Sequence, residues 1–394
     1  MVGKPNVGKS TLFNALTLLD AAIAPYPFTT LKPNRGVGAV RVRCPHMEKG
    51  RPCDPGNARC TEGTRWVPVS LVDVPGLVPG AHHGKGLGYQ FLDDLRAADG
   101  FIQVIDASGG TSPEGELAPP GSYDPTTEVA WLEEELVRWV ASILTRDFDR
   151  HVKTVELEGG KVEEFLAQRL TGLAIPPPAI TTALRQVGLD RAHPSHWSTD
   201  DRLRLARALL RTAKPRLVAA NKSDRLAPAV PKEIAEKLRP LPCVPTSAES
   251  ELVLRRAARA GLVQYTPGSS SFVRGDPAKL NEAQRHALDR VEDHLHRYGS
   301  TGVQSALEEM VFVQLQRIVV FPVEDETHWT DSKGRLLPDA YLLPTGTVAR
   351  QMAYRVHTDL GEGFVRAIDG RTHRALGADH PLENGAVIRI VSHR

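Results

Sequence analysis

The sequence predicts an α/β fold in which a P-loop nucleotide-binding domain carries a helical insertion and is followed by a small α+β domain. Three observations support this fold class. Residues 3–10 match the G-x-x-x-x-G-K-[ST] phosphate-binding loop. Short apolar runs typical of buried strands alternate with helical patterns along much of the chain. After residue 317 the pattern changes to short strands around one short helix.

The phosphate-binding loop begins two residues after the first methionine. Gly3 and Gly8 permit a tight turn whose backbone N–H groups point at an anion, and Lys9 supplies charge near the outer phosphates. Ser10 offers a hydroxyl ligand to Mg²⁺, and residues 10–16 predict a helix whose positive end adds to the site. A glycine-rich turn without a ligand is the alternative for such an octet in isolation. The predicted contacts are Gly3, Asn6, Val7, Gly8, Lys9, Ser10 and Thr11.

A second motif, Asp73-Val74-Pro75-Gly76, closes an apolar run of strand composition at residues 66–72. A carboxylate at a strand end can hold the Mg²⁺ shell through water, so Asp73 and Gly76 are predicted site residues. The alternative is an ordinary Asp-Pro-Gly turn.

Two further motifs predict a base pocket. Asn221-Lys222-Ser223-Asp224 follows a buried-strand run at residues 217–220. The Asp224 carboxylate can accept two N–H donors from a guanine edge, and adenine lacks that pair, which favours GTP over ATP. Ser247-Ala248 can complete the pocket with a backbone N–H. The ligands that we expect are therefore GTP and GDP, and the predicted reaction is Mg²⁺-dependent hydrolysis of GTP.

Composition limits the partners and the compartment. The chain has 394 residues and a formal net charge of +2, which implies no domain-wide attraction to nucleic acid or membrane. We find no apolar stretch long enough to span a bilayer and no signal sequence, so we expect a cytoplasmic monomer that binds no membrane.

Three of the four cysteines fall in one loop rich in Gly, Pro and charged residues. A Cys₃His zinc site formed by Cys44, His46, Cys53 and Cys60 is conceivable, because a metal would order such a loop. The spacing has no C-x₂₋₄-C pair, however, so the sequence favours reduced thiols in a mobile loop over zinc.

The helical patterns divide the chain into lobes. Apolar stripes at helical spacing fill residues 126–213, interrupted at Pro176-Pro177-Pro178, and predict an inserted helical lobe with its own core. Residues 276–317 are helical again. We therefore predict a nucleotide-binding (G) domain at residues 1–125 and 214–317, the helical insertion at 126–213, and a β-grasp domain at 318–394.

Additional segments identify a family. They are Tyr26-Pro27-Phe28-Thr29-Thr30 with Pro33-Asn34, Asp73 to Gly80 continuing through Gly84-Lys85-Gly86-Leu87-Gly88 to Phe91-Leu92, and Leu337-Pro338-Asp339-Ala340. With these, the chain resembles the Obg-related translation GTPases over nearly its whole length. The resemblance is greatest to the archaeal and fungal branch near the YchF proteins, which carries a C-terminal TGS domain.

The resemblance implies further roles. Thr30 would bind Mg²⁺ in the triphosphate state together with Ser10, and residues 24–36 and 77–90 would be the two switches. Asn6 would hold K⁺ in place of an arginine finger, as in potassium-stimulated relatives, although Asn6 as a turn former is an equal alternative. Leu77 stands where Ras-like enzymes have a water-orienting glutamine, which predicts slow turnover.

Two expectations concern departures from the family. YchF-type members replace the guanine-reading motif and prefer ATP, whereas Asn221 to Asp224 restores the expectation of GTP. Family members also carry a full strand before the phosphate loop, and here only Met1 and Val2 precede it, so upstream residues are expected to raise stability.

The function that we predict is a slowly hydrolysing GTP switch that acts with the ribosome or tRNA. The alternatives are a nucleotide-gated scaffold with negligible hydrolysis and an ATP-preferring enzyme. The RNA partner rests on the resemblance alone, because residues 318–394 carry a near balance of basic and acidic residues rather than a basic surface.

Overall fold

The computed structural model describes residues 1–17, 35–74, 96 and 98–393. In this part of the chain the strands are β1 (Arg35–Arg43), β2 (Arg59–Thr61), β3 (Thr64–Val72), β4 (Phe101–Asp106), β5 (Arg216–Asn221), β6 (Cys243–Pro245), β7 (Val263–Gln264), β8 (Val273–Arg274), β9 (Arg317–Val323), β10 (Tyr341–Pro344), β11 (Phe364–Asp369), β12 (Ala375–Leu376) and β13 (Ala386–Ser392). The α-helices are α1 (Lys9–Thr17), α2 (Thr126–Thr145), α3 (Phe148–Leu157), α4 (Val162–Leu170), α5 (Pro177–Val187), α6 (Thr199–Ala213), α7 (Ala229–Lys237), α8 (Ala248–Arg259), α9 (Glu282–Tyr298), α10 (Val303–Glu308), α11 (Ala349–Val356) and α12 (Thr358–Glu362).

These elements form two compact units. Unit 1 comprises Met1–Ala15 and Val72–Ala306, and unit 2 comprises Leu16–Leu71 and Leu307–Arg394. Residues 16–71 are thus grouped with the C-terminal residues. The three-lobe division proposed from the sequence uses other boundaries and stays a prediction. No helix among the described residues is long and apolar enough to cross a bilayer.

A parallel sheet in the order β4-β5-β6 forms the centre of unit 1. All six residues of β4 are buried, as expected for a parallel strand covered on both faces. Val2 adds a parallel bridge to Gln103. The pairing sets Asp106 opposite Asn221 at the carboxyl ends of β4 and β5. In open α/β sheets ligands bind at this edge, so the register brings distant polar residues to one place.

Helices α2 to α6 lie between β4 and β5 in the chain and form the helical lobe expected from the apolar stripes. Leu132, Leu166 and Leu209 lie in one buried core, which explains why these stripes face inward. The three prolines at residues 176–178 separate α4 from α5. They also start α5, because proline is accommodated in the first turn of a helix, where its missing N–H is not needed.

Unit 2 contains a five-stranded sheet in the order β10-β9-β13-β11-β12, with β9 and β13 parallel and the other pairs antiparallel. Helix α11 packs on it through Ala349 and Met352, against a core that includes Val320 and Ile388. This is the small sheet with one packed helix that the C-terminal pattern predicted.

A second sheet of unit 2, in the order β1-β3-β2, corrects part of the prediction of a loop over residues 44–60, since residues 49–58 alone lie outside regular elements after Cys44. The chain forms a 3₁₀ turn at Pro45–Glu48, and β2 pairs with β3 in a hairpin. The two turn residues, Glu62 and Gly63, both have positive φ angles of 50° and 80°. That combination matches a two-residue hairpin turn, and Glu-Gly is not among the dipeptides that usually signal one.

Candidate functional site

The phosphate-binding loop lies at the end of β4 and runs into α1. Gly3, Asn6 and Gly8 adopt φ angles of 141°, 63° and 96°. A Cβ atom added at Gly3 would lie 2.3 Å from the carbonyl oxygen of Val104, and one at Gly8 would lie 2.3 Å from Nδ2 of Asn221. Glycine is therefore required at both positions by backbone conformation and by lack of space.

Three polar contacts hold the loop against neighbouring segments of unit 1. The Lys4 ammonium lies 3.2 Å from the Glu128 carboxylate and donates to the carbonyl oxygen of Thr111 over 2.7 Å. Asn6 donates from Nδ2 to the carbonyl oxygen of Gly115 over 2.8 Å. The sequence does not predict the ion pair between Lys4 and Glu128, because Lys4 occupies a variable position of the loop motif and Glu128 is far away in the chain.

Lys9 is held in place by the loop itself. Its ammonium is buried and donates to the carbonyl oxygen of Lys4 over 2.7 Å. Burial lowers the pKa of Lys9, and the negative charges of Asp73 and Glu128 oppose that shift. An ammonium group in a low-dielectric site interacts strongly with an anion that enters beside it.

Ser10 and Asp73 lie side by side at the first turn of α1. The Ser10 hydroxyl donates to Oδ2 of Asp73 over 2.9 Å. The other carboxylate oxygen, Oδ1, is buried and has no hydrogen-bond partner among the described residues. A hydroxyl beside a carboxylate with an unsatisfied oxygen fits the preference of Mg²⁺ for oxygen ligands and retained waters.

Asn221 joins the two halves of the site. Its Nδ2 donates to the carbonyl oxygen of Val7 over 2.8 Å, and its Oδ1 accepts from the amide of Ala248 over 3.0 Å. Asn221 is buried, so both halves of its carboxamide are satisfied by backbone. The side chain therefore fixes the phosphate-binding loop relative to the start of α8.

Lys222 has a left-handed backbone conformation. It forms an ion pair with Asp106, which is not among the site residues predicted from the sequence. Its Nζ lies 2.8 Å from Oδ2 of Asp106, which also accepts from Thr111, while Oδ1 accepts from Ser108. Burial alone would raise the pKa of Asp106, but these hydrogen bonds outweigh it and the pKa is lowered. A sequence feature could have identified Asp106 as a site residue, because Asp106 ends a strand-like run just as Asp73 does.

Asp224 lies close to Ser247, as the base-pocket motifs predict. The Ser247 hydroxyl donates to Oδ1 of Asp224 over 2.8 Å. The Asp224 side chain remains 28% exposed, so a ligand can reach the carboxylate. The amide of Ser247 is held in turn by the carbonyl oxygen of Thr301.

The structure thus brings Gly3 to Ser10 together with Asp73, and Asn221 together with Val7 and Ala248. Val7 is buried and Thr11 is half-buried in α1. Thr30, Gly76 and Leu77 lie outside the described residues, as do most of the two predicted switch segments. In unit 2, Cys44, His46, Cys53 and Cys60 place one ligand atom each within 4.8 Å of one another.

Three family descriptions match the chain. The 50S ribosome-binding GTPase family matches residues 1–135, the Obg-like GTPase YGR210-like, G4 motif-containing domain matches residues 219–325, and the TGS domain matches residues 333–392.

Similar proteins span the whole chain. An uncharacterized GTP-binding protein of Methanocaldococcus jannaschii is 44% identical, over 100% of this chain and 98% of its own length. An uncharacterized GTP-binding protein of Schizosaccharomyces pombe is 35% identical, over 90% and 88%. The ribosome-binding ATPase YchF of Escherichia coli is 26% identical, over 93% and 86%. The crystal structure of a GTP binding protein from Pyrococcus horikoshii has a TM-score of 0.80 at 35% identity and covers 100% of this chain and 98% of its own. This chain therefore belongs to the Obg-like, YchF-related GTPase family, with a P-loop GTPase domain and a C-terminal TGS domain.

Proposed function

We propose that this protein binds GTP with Mg²⁺, hydrolyses it slowly and acts as a switch on the ribosome. The position of Asn221 is the main observation in support of nucleotide binding. Its side chain contacts Val7 of the phosphate-binding loop and Ala248 beside the base-reading motif, so one residue holds both ends of a nucleotide-sized site together.

Guanine selection is assigned to Asp224. The Asp224 carboxylate is partly exposed and is held in place by a hydrogen bond from Ser247. It can therefore accept hydrogen bonds from the N1–H and the exocyclic amine of guanine. Adenine presents an unprotonated N1 at that position and would leave the carboxylate unpaired. The archaeal and fungal relatives that are 44% and 35% identical are named GTP-binding proteins, in agreement with this assignment.

The roles of the remaining site residues follow from their positions. Lys9 would exchange its contact with the Lys4 carbonyl for phosphate oxygens, and the loop amides would stabilise the charge that develops on the leaving group. Ser10 would bind Mg²⁺ directly and Asp73 through water, with Thr30 completing the set in the triphosphate state. These positions suit Mg²⁺ because Ser10 and Asp73 offer oxygen ligands, and because Oδ1 of Asp73 has no hydrogen-bond partner among the described residues.

Slow hydrolysis is expected because Leu77 cannot orient the attacking water. Asn6 is the residue assigned to a K⁺ ion, which would neutralise charge as an arginine finger does. Its Nδ2 is already used to hold Gly115, so the side-chain oxygen is the atom that would face the ion. The ribosome as partner is supported by the name of the Escherichia coli relative, a ribosome-binding ATPase.

Isothermal titration with GTP, ATP and xanthosine triphosphate tests the base assignment. We expect tighter binding of GTP than ATP, and we expect Asp224→Asn to lose roughly a hundredfold in GTP affinity, equivalent to about 3 kcal/mol. The same variant should gain affinity for xanthosine triphosphate, whose extra carbonyl accepts from an amide. Lys9→Ala should bind neither nucleotide. Equal affinity of the unmodified chain for GTP and ATP would contradict guanine selection and favour an ATP-preferring enzyme.

Single-turnover hydrolysis distinguishes the switch from the scaffold. We expect slow conversion of GTP to GDP that is faster in KCl than in NaCl, and faster again when ribosomes are added. Co-sedimentation with ribosomes in a non-hydrolysable GTP analogue tests the partner directly. A chain that binds GTP but never hydrolyses it, with or without ribosomes, would support a nucleotide-gated scaffold. Equal rates in the two salts would remove the K⁺ role of Asn6.

A further inference from the structure

Unit 2 contains a cluster of potential metal ligands that is separate in the chain from the nucleotide-site motifs. It consists of Cys44, His46, Cys53 and Cys60, and we refer to it as the Cys44 cluster. The Sγ atoms of Cys44 and Cys53 lie 3.7 Å apart. The Sγ atom of Cys60 lies 3.6 Å from Nδ1 of His46. The four ligand atoms all lie within 4.8 Å of one another.

Two of these separations match those of a tetrahedral zinc site. With Zn–S bonds of about 2.3 Å and Zn–N bonds of about 2.05 Å, tetrahedral angles place two sulfurs about 3.8 Å apart and a sulfur and a nitrogen about 3.6 Å apart. The Cys44 to Cys53 and Cys60 to His46 distances agree with these values to within about 0.1 Å. Three thiols and one imidazole are also the Cys₃His ligand set of structural zinc sites.

The charge around the cluster provides an independent observation. Zn²⁺ bound by three thiolates and a neutral imidazole carries one net negative charge. Arg65 is completely buried and pairs across the hairpin with Cys60. Its Nη2 donates to the carbonyl oxygen of Leu337, but Nε and Nη1 have no hydrogen-bond partner among the described residues. A buried guanidinium with two unsatisfied nitrogens is costly unless anions lie nearby, and the thiolates of the cluster would add to the negative charge that Asp339 supplies.

The local fold explains why the spacing of the ligands conceals the site. Cys44 directly follows β1, His46 lies in the 3₁₀ turn, Cys53 lies in the connection that follows, and Cys60 is the central residue of β2. The β2–β3 hairpin turns the chain back, and the amide of Cys44 donates to the carbonyl oxygen of Gly63 at its turn. The ligands therefore meet through pairing of strands rather than through a short C-x-x-C turn.

The segment between Cys53 and Cys60 is attached to the Leu337-Pro338-Asp339-Ala340 segment of the TGS domain. The amide of Asp54 donates to the carbonyl oxygen of Leu336 over 3.0 Å, and that of Gly56 donates to Pro338 over 2.7 Å. The carboxamide of Asn57 makes two hydrogen bonds to the backbone of Ala340. Residues 53–60 are short of apolar side chains, so they need another interaction to stay ordered.

We propose that the Cys44 cluster binds one Zn²⁺ as a structural site that orders residues 44–60 and so keeps them attached to the TGS domain. Four protein ligands leave no open coordination position, so the site supplies stability rather than catalysis. The metal would order residues 44–60, which have few apolar side chains of their own. This inference is independent of the nucleotide chemistry, because every residue that it uses lies in unit 2.

Metal analysis of the purified full chain is the first test. We expect about one zinc per chain in the unmodified protein and less than about a fifth of that in Cys53→Ser and Cys60→Ser. Cys243→Ser is the matched control, because Cys243 lies in β6 of unit 1, and we expect it to keep its zinc. The two cluster variants should still bind nucleotide, which shows that unit 1 is folded.

Two measurements on the unmodified chain avoid any dependence on variant folding. Cobalt added to zinc-stripped protein should give a thiolate-to-cobalt charge-transfer band and the strong visible bands of a tetrahedral ion, and zinc should abolish both. Removal of zinc should also increase hydrogen exchange at residues 44–60 and 336–340, with residues 3–10 unchanged. Zinc-free protein that gives no cobalt bands would overturn the proposal. So would equal zinc content in Cys53→Ser and Cys243→Ser.

Discussion

The carboxamide of Asn221 donates to the carbonyl oxygen of Val7 over 2.8 Å, although 214 residues separate the two positions in the chain. Asn221 belongs to the motif that predicted base recognition. In the structure it holds the phosphate-binding loop, and the side chain of Asp224 remains 28% exposed. The motif that we propose to read guanine is therefore also part of the scaffold of the phosphate-binding loop.

Removing this link should weaken both the fold and nucleotide binding. Asn221→Ala leaves a buried backbone carbonyl and the Ala248 amide without their partner, so we expect a loss of about 1–3 kcal/mol in the free energy of unfolding. Nucleotide affinity should fall roughly tenfold or more, because the loop is less well fixed. Urea denaturation and titration calorimetry measure the two effects. Asn14→Ala, at an exposed position of α1, is the control and should change stability by less than about 0.5 kcal/mol.

Gly3 should not tolerate even a methyl group. In Gly3→Ala the new Cβ would lie 2.3 Å from the carbonyl oxygen of Val104, at a φ of 141° that alanine avoids. We expect a loss of stability of about 2–4 kcal/mol and loss of phosphate binding. Gly172→Ala is the matched control, since a Cβ there meets no atom within 4 Å. Similar melting temperatures for the two variants would contradict this account of the loop.

Asp73→Asn should separate magnesium binding from phosphate binding. The change removes the negative charge beside Ser10 while preserving the size of the side chain. With Mg²⁺ present, nucleotide affinity should fall roughly tenfold or more, because the ion loses a charged partner. In EDTA the same variant should bind nucleotide as tightly as the unmodified chain or more tightly, since a carboxylate repels phosphate. A parallel loss under both conditions would point to a structural role for Asp73 instead.

His294 should make stability depend on pH below neutrality. It is 1% exposed in α9 and stacks on Tyr298 with ring centroids 4.7 Å apart. Burial lowers its pKa from 6.5 to about 4, with a smaller opposing effect of Asp224. Because the unfolded chain takes up the proton first, this contribution is complete above pH 6.5 and is lost as the pH falls towards 4. The full difference is of the order of 3 kcal/mol.

The measurement is urea denaturation at pH 7.5 and pH 5. Between these values the stability of His294→Gln should fall by about 2 kcal/mol less than that of the unmodified chain. His296→Gln, an exposed position of the same helix, should behave like the unmodified chain. If the two variants showed the same pH dependence, another buried group would have to account for the acid sensitivity.

Local sequence patterns were sufficient to predict the features that lie within short stretches of the chain. The phosphate-binding octet, α1, β4, β5 and the helical stripes of residues 126–213 are all set by side-chain periodicity and glycine placement over a few turns. The same is true of the strands and helix of the TGS domain. Asp224 and Ser247 were predicted to share a base pocket from the motifs that contain them, and the two side chains are hydrogen-bonded to each other.

Features that depend on pairing between distant segments could not be predicted in this way. The Lys4 to Glu128 ion pair and the contacts of Asp106 join residues from different elements, and no sequence motif links the two partners in either case. The Cys44 cluster shows the same limit. Its spacing favoured free thiols in a mobile loop, whereas the β2–β3 hairpin brings all four ligand atoms together.

By itself, then, the sequence determined the phosphate-binding motif, the positions of the buried strands along the chain and the family, because each is encoded in consecutive residues. Only the tertiary structure decided which distant residues hold the loop in place, that residues 16–71 belong to the same compact unit as the TGS domain, and that three cysteines and a histidine lie close together. The physical reason is that those contacts form when strands pair and helices pack, and a sequence pattern records the residues that take part without recording their neighbours in space.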